Sequence, residues 1–252
     1  VITLKSAREI DIMARAGAIV AGTHALMREL ARPGVTTEEL DDAAEAFIRS
    51  HHGATPSFKG LYGFPKTLCT SVDNEIVHGI PSRKRVLHEG SILSVDCGVH
   101  LEKLHADAAV TVPVGQVSET AARLMRVTEE CLAAGIAAAR AGNHVGDIGH
   151  AVQQVAEAAG FGVVRELVGH GIGARFHEDP QVPNHGQPGR GPLLRPGMTI
   201  AIEPMITEGR YETRTLPDKW TVVTADGGLS AHFEHTVAIL AEGTRILTQL
   251  PA

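Results

Sequence analysis

Two stretches of the chain end in the same way. Gly90-Ser-Ile-Leu-Ser-Val-Asp96 and Gly197-Met-Thr-Ile-Ala-Ile-Glu203 each run from a glycine through alternating apolar residues to a carboxylate. Each is followed by a second run opened by an acid, Asp107-Ala-Ala-Val-Thr-Val and Glu234-His-Thr-Val-Ala-Ile. Side chains alternate across a strand, so Leu93, Val95, Cys97 and Val99 share one face, with Ser94, Asp96 and Gly98 on the other. The same reading sets Ala108, Val110, Val112 and Val114 against Asp107, Ala109 and Thr111. It sets Ile200 and Ile202 against Thr199, Ala201 and Glu203, and Phe233, His235 and Val237 against His232, Glu234 and Thr236. Every acid falls on a face of small or polar residues, opposite a greasy one. Carboxylates on such strands are costly to bury without something that neutralises them.

The likeness extends upstream. Pro33-Gly34-Val-Thr-Thr-Glu-Glu-Leu40-Asp-Asp-Ala43-Ala44 resembles Ala141-Gly142-Asn-His-Val-Gly-Asp-Ile148-Gly-His-Ala151-Val152, at nearly the offset that relates Asp96 to Glu203. Short matches arise easily by chance, but agreement at two separate places favours two copies of one α/β unit related by an approximate two-fold. Residues 6–31 carry Ile10, Met13, Ala14, Ile19, Val20 and Leu26 at helical spacing, and Arg32-Pro33-Gly34 breaks that run. Thr36 or Thr37 caps a second helix through about His51, with Leu40, Ala43, Ala44 and Phe47 on one face. Residues 118–140 and 146–159 read as two further helices. No linker-like segment divides the halves. The expected fold is α+β, one domain over 1–252 with internal halves 5–115 and 116–248, and a curved antiparallel sheet covered by helices on its greasy face. The acids then line a shared cavity on the concave face. A hairpin turning near Leu101-Glu102 brings Asp96 and Asp107 opposite or diagonal, although the turn lacks a strong Gly or Asn signal.

Bulk properties exclude several classes. A net charge of -6 argues against a general nucleic-acid binder, and Arg83-Lys84-Arg85 reads as a solvated loop. No apolar run approaches the length needed to span a bilayer, and the N-terminal segment, with Lys5, Arg8, Glu9 and Asp11, has no signal-peptide core. Cys69, Cys97 and Cys131 are dispersed and odd in number, which suits reduced thiols in a cytoplasm rather than a disulfide framework. The expectation is a soluble cytoplasmic protein with no specific nucleic-acid or membrane partner.

His170, in Gly169-His-Gly-Ile-Gly173, adds an imidazole to the four acids. Carboxylates that close repel, and dinuclear centres resolve this by bridging two cations roughly 3.5–4 Å apart. Mixed oxygen and imidazole donors suit Mn, Fe, Co or Zn. No HExxH is present, and the two histidines of His232-Phe-Glu-His235 point to opposite faces of a strand. Gly169-x-Gly-x-Gly is followed by Arg175-Phe-His-Glu-Asp-Pro180 rather than a clear helix, against a nucleotide loop.

The set Asp96, Asp107, His170, Glu203 and Glu234, in its strand contexts, resembles the metal site of the pita-bread metallopeptidases. Val77-His-Gly-Ile-Pro81, Gly169-His-Gly-Ile-Gly173 and Phe176-His-Glu178 resemble the type I methionine aminopeptidases within that group, and the resemblance runs from about Lys5 to Thr248. The short stretch between Glu203 and Glu234 leaves no room for the helical insertion of type II enzymes. No large N-terminal domain of the X-Pro aminopeptidase, prolidase or creatinase kind is present, nor a zinc-binding extension, which suggests a bacterial form. The resemblance implies two divalent metal ions (Co, Mn, Fe or Zn). Asp96 would chelate one, His170 would bind the other, Asp107 and Glu234 would bridge, and Glu203 would ligate the second and serve as general base. His78 and His177, each in His-x-x-Pro, would touch substrate: His78 near the amide beyond the scissile bond, His177 near its carbonyl oxygen. Phe58, Leu61, Phe64, Cys69, Phe176 and Trp220 match positions of an apolar pocket. Leu61 stands where many relatives have Tyr, and Ala106 replaces the Gly common before the second aspartate. Relatives also bind a monovalent cation with Ser230 near Asp73-Asn74, a segment reordered here, so that cation stays open.

The implied activity is removal of the initiator methionine from a peptide or nascent-chain N-terminus by a monomer, with the ribosome a candidate docking partner. Two alternatives remain. A proline-directed exopeptidase of the same fold would prefer an Ala-Pro substrate, and a non-catalytic binding module would have lost ligands, whereas none is lost.

Overall fold

Ser6 and Thr36 open the first two helices by one device. The Ser6 hydroxyl accepts from Glu9 N while the Glu9 carboxylate accepts from Ser6 N, and Thr36 and Glu39 repeat the exchange. The computed structural model describes residues 1–250. Its first half runs α1 (Ala7–Leu30), α2 (Thr37–Ser50), β1 (Thr55–Pro56), β2 (Leu68–Val72), β3 (Glu75–Val77), β4 (Ile92–Leu101) and β5 (Leu104–Pro113). The second half runs α3 (Glu119–Ala138), α4 (Val145–Ala158), β6 (Gly162–Val163), β7 (Gly169–Gly171), β8 (Glu178–Val182), β9 (Thr199–Ile202), β10 (Met205–Thr207), β11 (Thr213–Thr215), β12 (Val222–Thr224), β13 (Ser230–His232), β14 (His235–Leu240) and β15 (Gly243–Ile246). The four helices fall where the periodicity puts them.

Backbone hydrogen bonds repeat between the halves. Gly34 N donates to Leu87 O at 2.8 Å and Gly142 N to Leu194 O at 3.0 Å; Leu87 N returns to Val35 O and Leu194 N to Asn143 O, both at 2.8 Å. Isolated bridges Thr36↔Val86 and His144↔Leu193 fall beside them. The turns need left-handed backbone, φ 92° at Gly34 and 93° at Gly142, 88° at Gly90 and 91° at Gly197, which explains glycine at all four.

Matching the halves this way corrects one pairing. Gly90 N bonds Val114 O and Gly197 N bonds Ile239 O, both at 2.9 Å, so Val114 and Ile239 are equivalent. The step back from Val114 to Asp107 is the step from Ile239 to His232. His232 therefore occupies the place of Asp107, and Glu234 that of Ala109. The two acids that open similar runs in the sequence are offset by one strand period, which leaves both on the cavity face.

Every strand pairing among the described residues is antiparallel. The sheet expected as one surface is divided by hydrogen bonding into four: β1-β4-β2 with β5 on β4, β13-β10-β6, β11-β12-β3, and β15-β14-β9-β7-β8. The break between β9 and β10 falls at Glu203-Pro204, where proline has no N–H to give. The halves are joined across that region by threonine hydroxyls. Thr111 Oγ1 accepts from His232 N and donates to His232 O, both at 2.9 Å; Thr236 Oγ1 accepts from Asp107 N at 3.0 Å and donates to Asp107 O at 2.7 Å. Between them Glu234 N donates to Ala109 O at 2.9 Å.

Helices cover the greasy faces. Val20, Met27 and Leu40 meet Leu93, Val95, Val99 and Val112 in one core, while Leu132 and Ile148 meet Ile200, Ile202 and Val237 in another. Each such side chain contributes roughly 1.5–3 kcal/mol by leaving water. Contrary to the sequence expectation, α1 is long and apolar enough to cross a bilayer, with mean hydropathy 1.2. Here it lies on β4 and β5, with Met13, Ala16, Val20 and Met27 fully buried. All three cysteines are free and buried.

Candidate metal centre

The expected ligands converge from five places. Asp96 comes from β4, Asp107 from β5, His170 from β7, Glu203 from just past β9, and Glu234 from the gap between β13 and β14. They line one cavity of about 260 Å³. In the hairpin Asp107 stands opposite Gly98 and Asp96 opposite Ala109, so the two aspartates are diagonal neighbours. The turn is Glu102-Lys103, with φ 47° and 70°, a left-handed two-residue turn built without glycine. Asp107, His170 and Glu234 bring one ligand atom each within 4.8 Å of one another, and so do Glu203, His232 and Glu234. His170 Nε2 lies 3.6 Å from Glu203 Oε1. Its Nδ1 donates to Gly171 O at 2.8 Å, which leaves the Nε2 lone pair free to ligate.

The glycines around His170 serve close strand approach. A Cβ at Gly171 would sit 2.1 Å from Asp179 O, and one at Gly169 would sit 2.3 Å from Ala201 O. Both glycines therefore let neighbouring backbone approach at distances a side chain would block.

Electrostatics decide what the cluster needs. Burial, then the charges of neighbouring acids, pushes the carboxyls of Asp107, Glu203 and Glu234 well above the ordinary range; burial also raises Asp96. Burial moves the imidazoles the other way, His170 to about 4 and His232 to about 3. They are neutral at pH 7 and cannot compensate the acids. Among the described residues, no lysine or arginine lines the cavity. Asp96 Oδ1, Asp107 Oδ1, Glu234 Oε1 and His232 Nε2 are buried with no hydrogen-bond partner. Inward-facing oxygens without donors, beside neutral imidazoles, fit divalent cations as the missing charge.

An apolar mouth adjoins the acids. Phe58, Leu61, Phe64, Cys69, His78, Phe176, His177 and Trp220 all line the same cavity. Phe64 and Trp220 meet edge to face at 5.1 Å, and so do Phe58 and Phe176 at 5.3 Å. Trp220 is held by Asp218, whose carboxylate accepts from Trp220 N and Thr221 N at 2.9 Å. Cys69 faces Asp96 across β2–β4. Burial lowers the pKa of both His78 and His177, and His177 adds to the effect at His78. Lys5 donates to Glu178 at 2.5 Å in a nearly buried pair that fastens the segment beside His177.

Among the lining residues that the sequence reading gave no site role, His232 and Tyr62 stand out. His232 was placed on the cavity face but given no role. Tyr62 sits at φ 51° in the Leu61–Gly63 turn, stacks on His177 with centroids 5.7 Å apart, and places its hydroxyl 3.2 Å from His177 Nδ1. No periodicity marks a turn residue of this kind. In the reordered Asp73-Asn74 segment, the Asp73 carbonyl accepts from Ser230 N and the Asn74 carbonyl from Thr224 N.

Comparison with known proteins gives the family. The description of metallopeptidase family M24 matches residues 11–241. The chain belongs to that family. As an M24 member it resembles a methionine aminopeptidase of Clostridium perfringens, 57% identical over 98% of each chain. It also resembles methionine aminopeptidase 1 of Bacillus subtilis, 50% identical over 99% of this chain and 100% of the relative. The crystal structure of methionine aminopeptidase from Thermotoga maritima superposes with TM-score 0.97 at 42% identity, covering 99% of this chain and 100% of that one. Prolidase from Pyrococcus furiosus shares the pita-bread fold, TM-score 0.77 at 21% identity, and this chain covers 66% of it.

Proposed function

We propose that this M24 peptidase is a metal-dependent aminopeptidase that removes N-terminal methionine from peptides and nascent chains. The observation that carries the reading is the cluster of buried acids with unpaired oxygens at the base of an aromatic-walled cavity. Asp96, Asp107, His170, Glu203 and Glu234 would hold two divalent ions of the Mn, Fe, Co or Zn kind. When bound, such ions supply the positive charge that lets these carboxylates ionise together, polarise a carbonyl and lower the pKa of water to about 7.

The chain's own residues supply the rest. Glu203 takes a proton from the attacking water and returns it to the leaving amine. His177, neutral at working pH, donates from Nε2 to the scissile carbonyl oxygen as charge develops there. When the Tyr62 hydroxyl donates to Nδ1, the proton of His177 is held on Nε2, where that role needs it. His78 contacts the amide beyond the scissile bond. Phe58, Leu61, Phe64, Cys69, Phe176 and Trp220 receive the methionine side chain, an unbranched thioether that packs against ring edges.

The reading includes a single catalytic domain over 1–252 with internal halves 5–115 and 116–248, working as a monomer. It places the protein in the cytoplasm, in keeping with three free thiols, acting on nascent chains at the ribosome. A monovalent cation at Asp73-Asn74 and Ser230 is not part of it. The test is kcat/KM of metal-reconstituted protein on Met-Ala-Ser, Leu-Ala-Ser, Met-Lys-Ser and Ala-Pro-Ser. Met-Ala-Ser should be the best of the four; if Ala-Pro-Ser is best, a proline-directed exopeptidase replaces this reading.

A further inference from the structure

His232 is buried inside the acidic cluster, yet one of its ring nitrogens has no hydrogen-bond partner. Its side chain is 2% exposed, and Nε2 has no hydrogen bond. That nitrogen lies 3.8 Å from Glu203 Oε2 and 3.8 Å from Glu234 Oε2. Both distances are too long for a hydrogen bond. Two donors each about 2.1 Å from one ion stand about 3.4 Å apart at a tetrahedral angle and about 4.2 Å apart when trans, so 3.8 Å falls within the span of a shared ion. Glu203 is thus bracketed: Oε1 faces His170 and Oε2 faces His232. The placement is fixed from the backbone, because Thr111 Oγ1 grips both the N–H and the C=O of His232. It also follows from the repeat, since His232 stands at the position that Asp107 holds in the first half.

We infer that His232 Nε2 is a second nitrogen donor of the centre, ligating a divalent transition-metal ion together with Glu203 and Glu234. The inference rests on the metal-dependent reading above. The loaded site then contains two imidazoles, His170 and His232, rather than one. An added nitrogen donor favours Co or Zn over Mn, whose preference is for oxygen.

The test loads the full chain with Co(II) and counts solvent-exchangeable, paramagnetically shifted imidazole N–H resonances, with titration calorimetry alongside. Wild-type protein should show two such resonances, and His232→Gln should show one. Co(II) affinity in the variant should fall on the order of 10–100-fold, and Mn(II) affinity should fall less. A wild-type count of one overturns the inference without using any variant. So does a His232→Gln protein, folded by circular dichroism, with an unchanged count and affinity. A wild-type protein that binds no Co(II) would instead overturn the metal-dependent reading itself, so the two failures are distinguishable.

Discussion

The β4–β5 hairpin and its counterpart, β9–β10 against β13–β14, keep corresponding registers but differ in continuity. The first ladder is unbroken from Ile92↔Pro113 to Leu101↔Leu104. The second pairs Ile202 with His235 and Met205 with His232, and opens between them at Glu203-Pro204 and Phe233-Glu234. An unbroken ladder sends only alternate residues to the cavity, so Asp96 and Asp107 arrive as a diagonal pair. The opened one carries Glu234 where the first half has Ala109, and there Glu203, His232 and Glu234 come within 4.8 Å. One half supplies a stiff wall of two acids, and the other, where its ladder is open, supplies three donors.

The hardest way to break the comparison is to remove one acid from each half. Asp107→Ala and Glu234→Ala should both abolish peptidase activity and both lower metal content, although one residue sits in a paired strand and the other in a gap. In exhaustively chelated protein the same substitutions should leave Tm unchanged or raise it, because each removes a desolvated carboxyl that carries an unpaired buried oxygen. Full activity in chelated protein would sink the metal reading.

His177→Ala should separate the catalytic donors from the ligands. The expected loss is on the order of 10²-fold in kcat, with metal content retained by elemental analysis. A variant that loses metal as readily as Glu203→Ala would mean that His177 belongs to the ion's own shell.

Period two and the glycine-to-acid repeat were enough to read the helices, the greasy faces and the converging acids, because alternation fixes side-chain direction before any pairing is known. Register was less legible. Asp107 and Glu234 open look-alike runs, and only the bonds of Gly90 and Gly197 reveal that His232 is the true counterpart of Asp107. The division into four sheets escaped the sequence reading although Pro204 marks the break. The threonine seam could not be read, since a hydroxyl that replaces a ladder bond looks like any other strand threonine. Tyr62 was invisible because its role depends on a left-handed turn set by tertiary contacts.

That seam offers a smaller and reciprocal test. Thr236→Val keeps the shape but leaves the Asp107 N–H and C=O without their hydroxyl partner, and Thr111→Val does the same to His232. Each should destabilise by about 1–3 kcal/mol, the cost of unpaired buried backbone groups. Urea unfolding of the two variants should give similar losses; a loss at only one would show that the seam is not symmetric.

Tyr62→Phe removes a single hydroxyl from the His177 side of the cavity. A neutral hydrogen bond is worth about 0.5–1.5 kcal/mol, so kcat should fall by roughly 2–10-fold with KM nearly unchanged. Rings stacked as in the native protein would persist in phenylalanine. An unchanged kcat would mean that the tautomer of His177 is set elsewhere.

The smallest effect belongs to the hairpin tip, which has no counterpart in the opened ladder. Lys103 holds φ 70° where a side chain costs roughly 1–2 kcal/mol relative to glycine. Lys103→Gly relieves that strain but costs about 0.5–1 kcal/mol in unfolded-chain entropy, so the net gain should be under about 1 kcal/mol. For a chain of this size that raises Tm by about 2 °C. Glu102 and its exposed pairing with Arg15 are left in place. Activity should not change, because the Gly98↔Asp107 register is set by the ladder behind the turn. A fall in Tm together with a fall in kcat would show instead that the turn itself pins the register of the two aspartates.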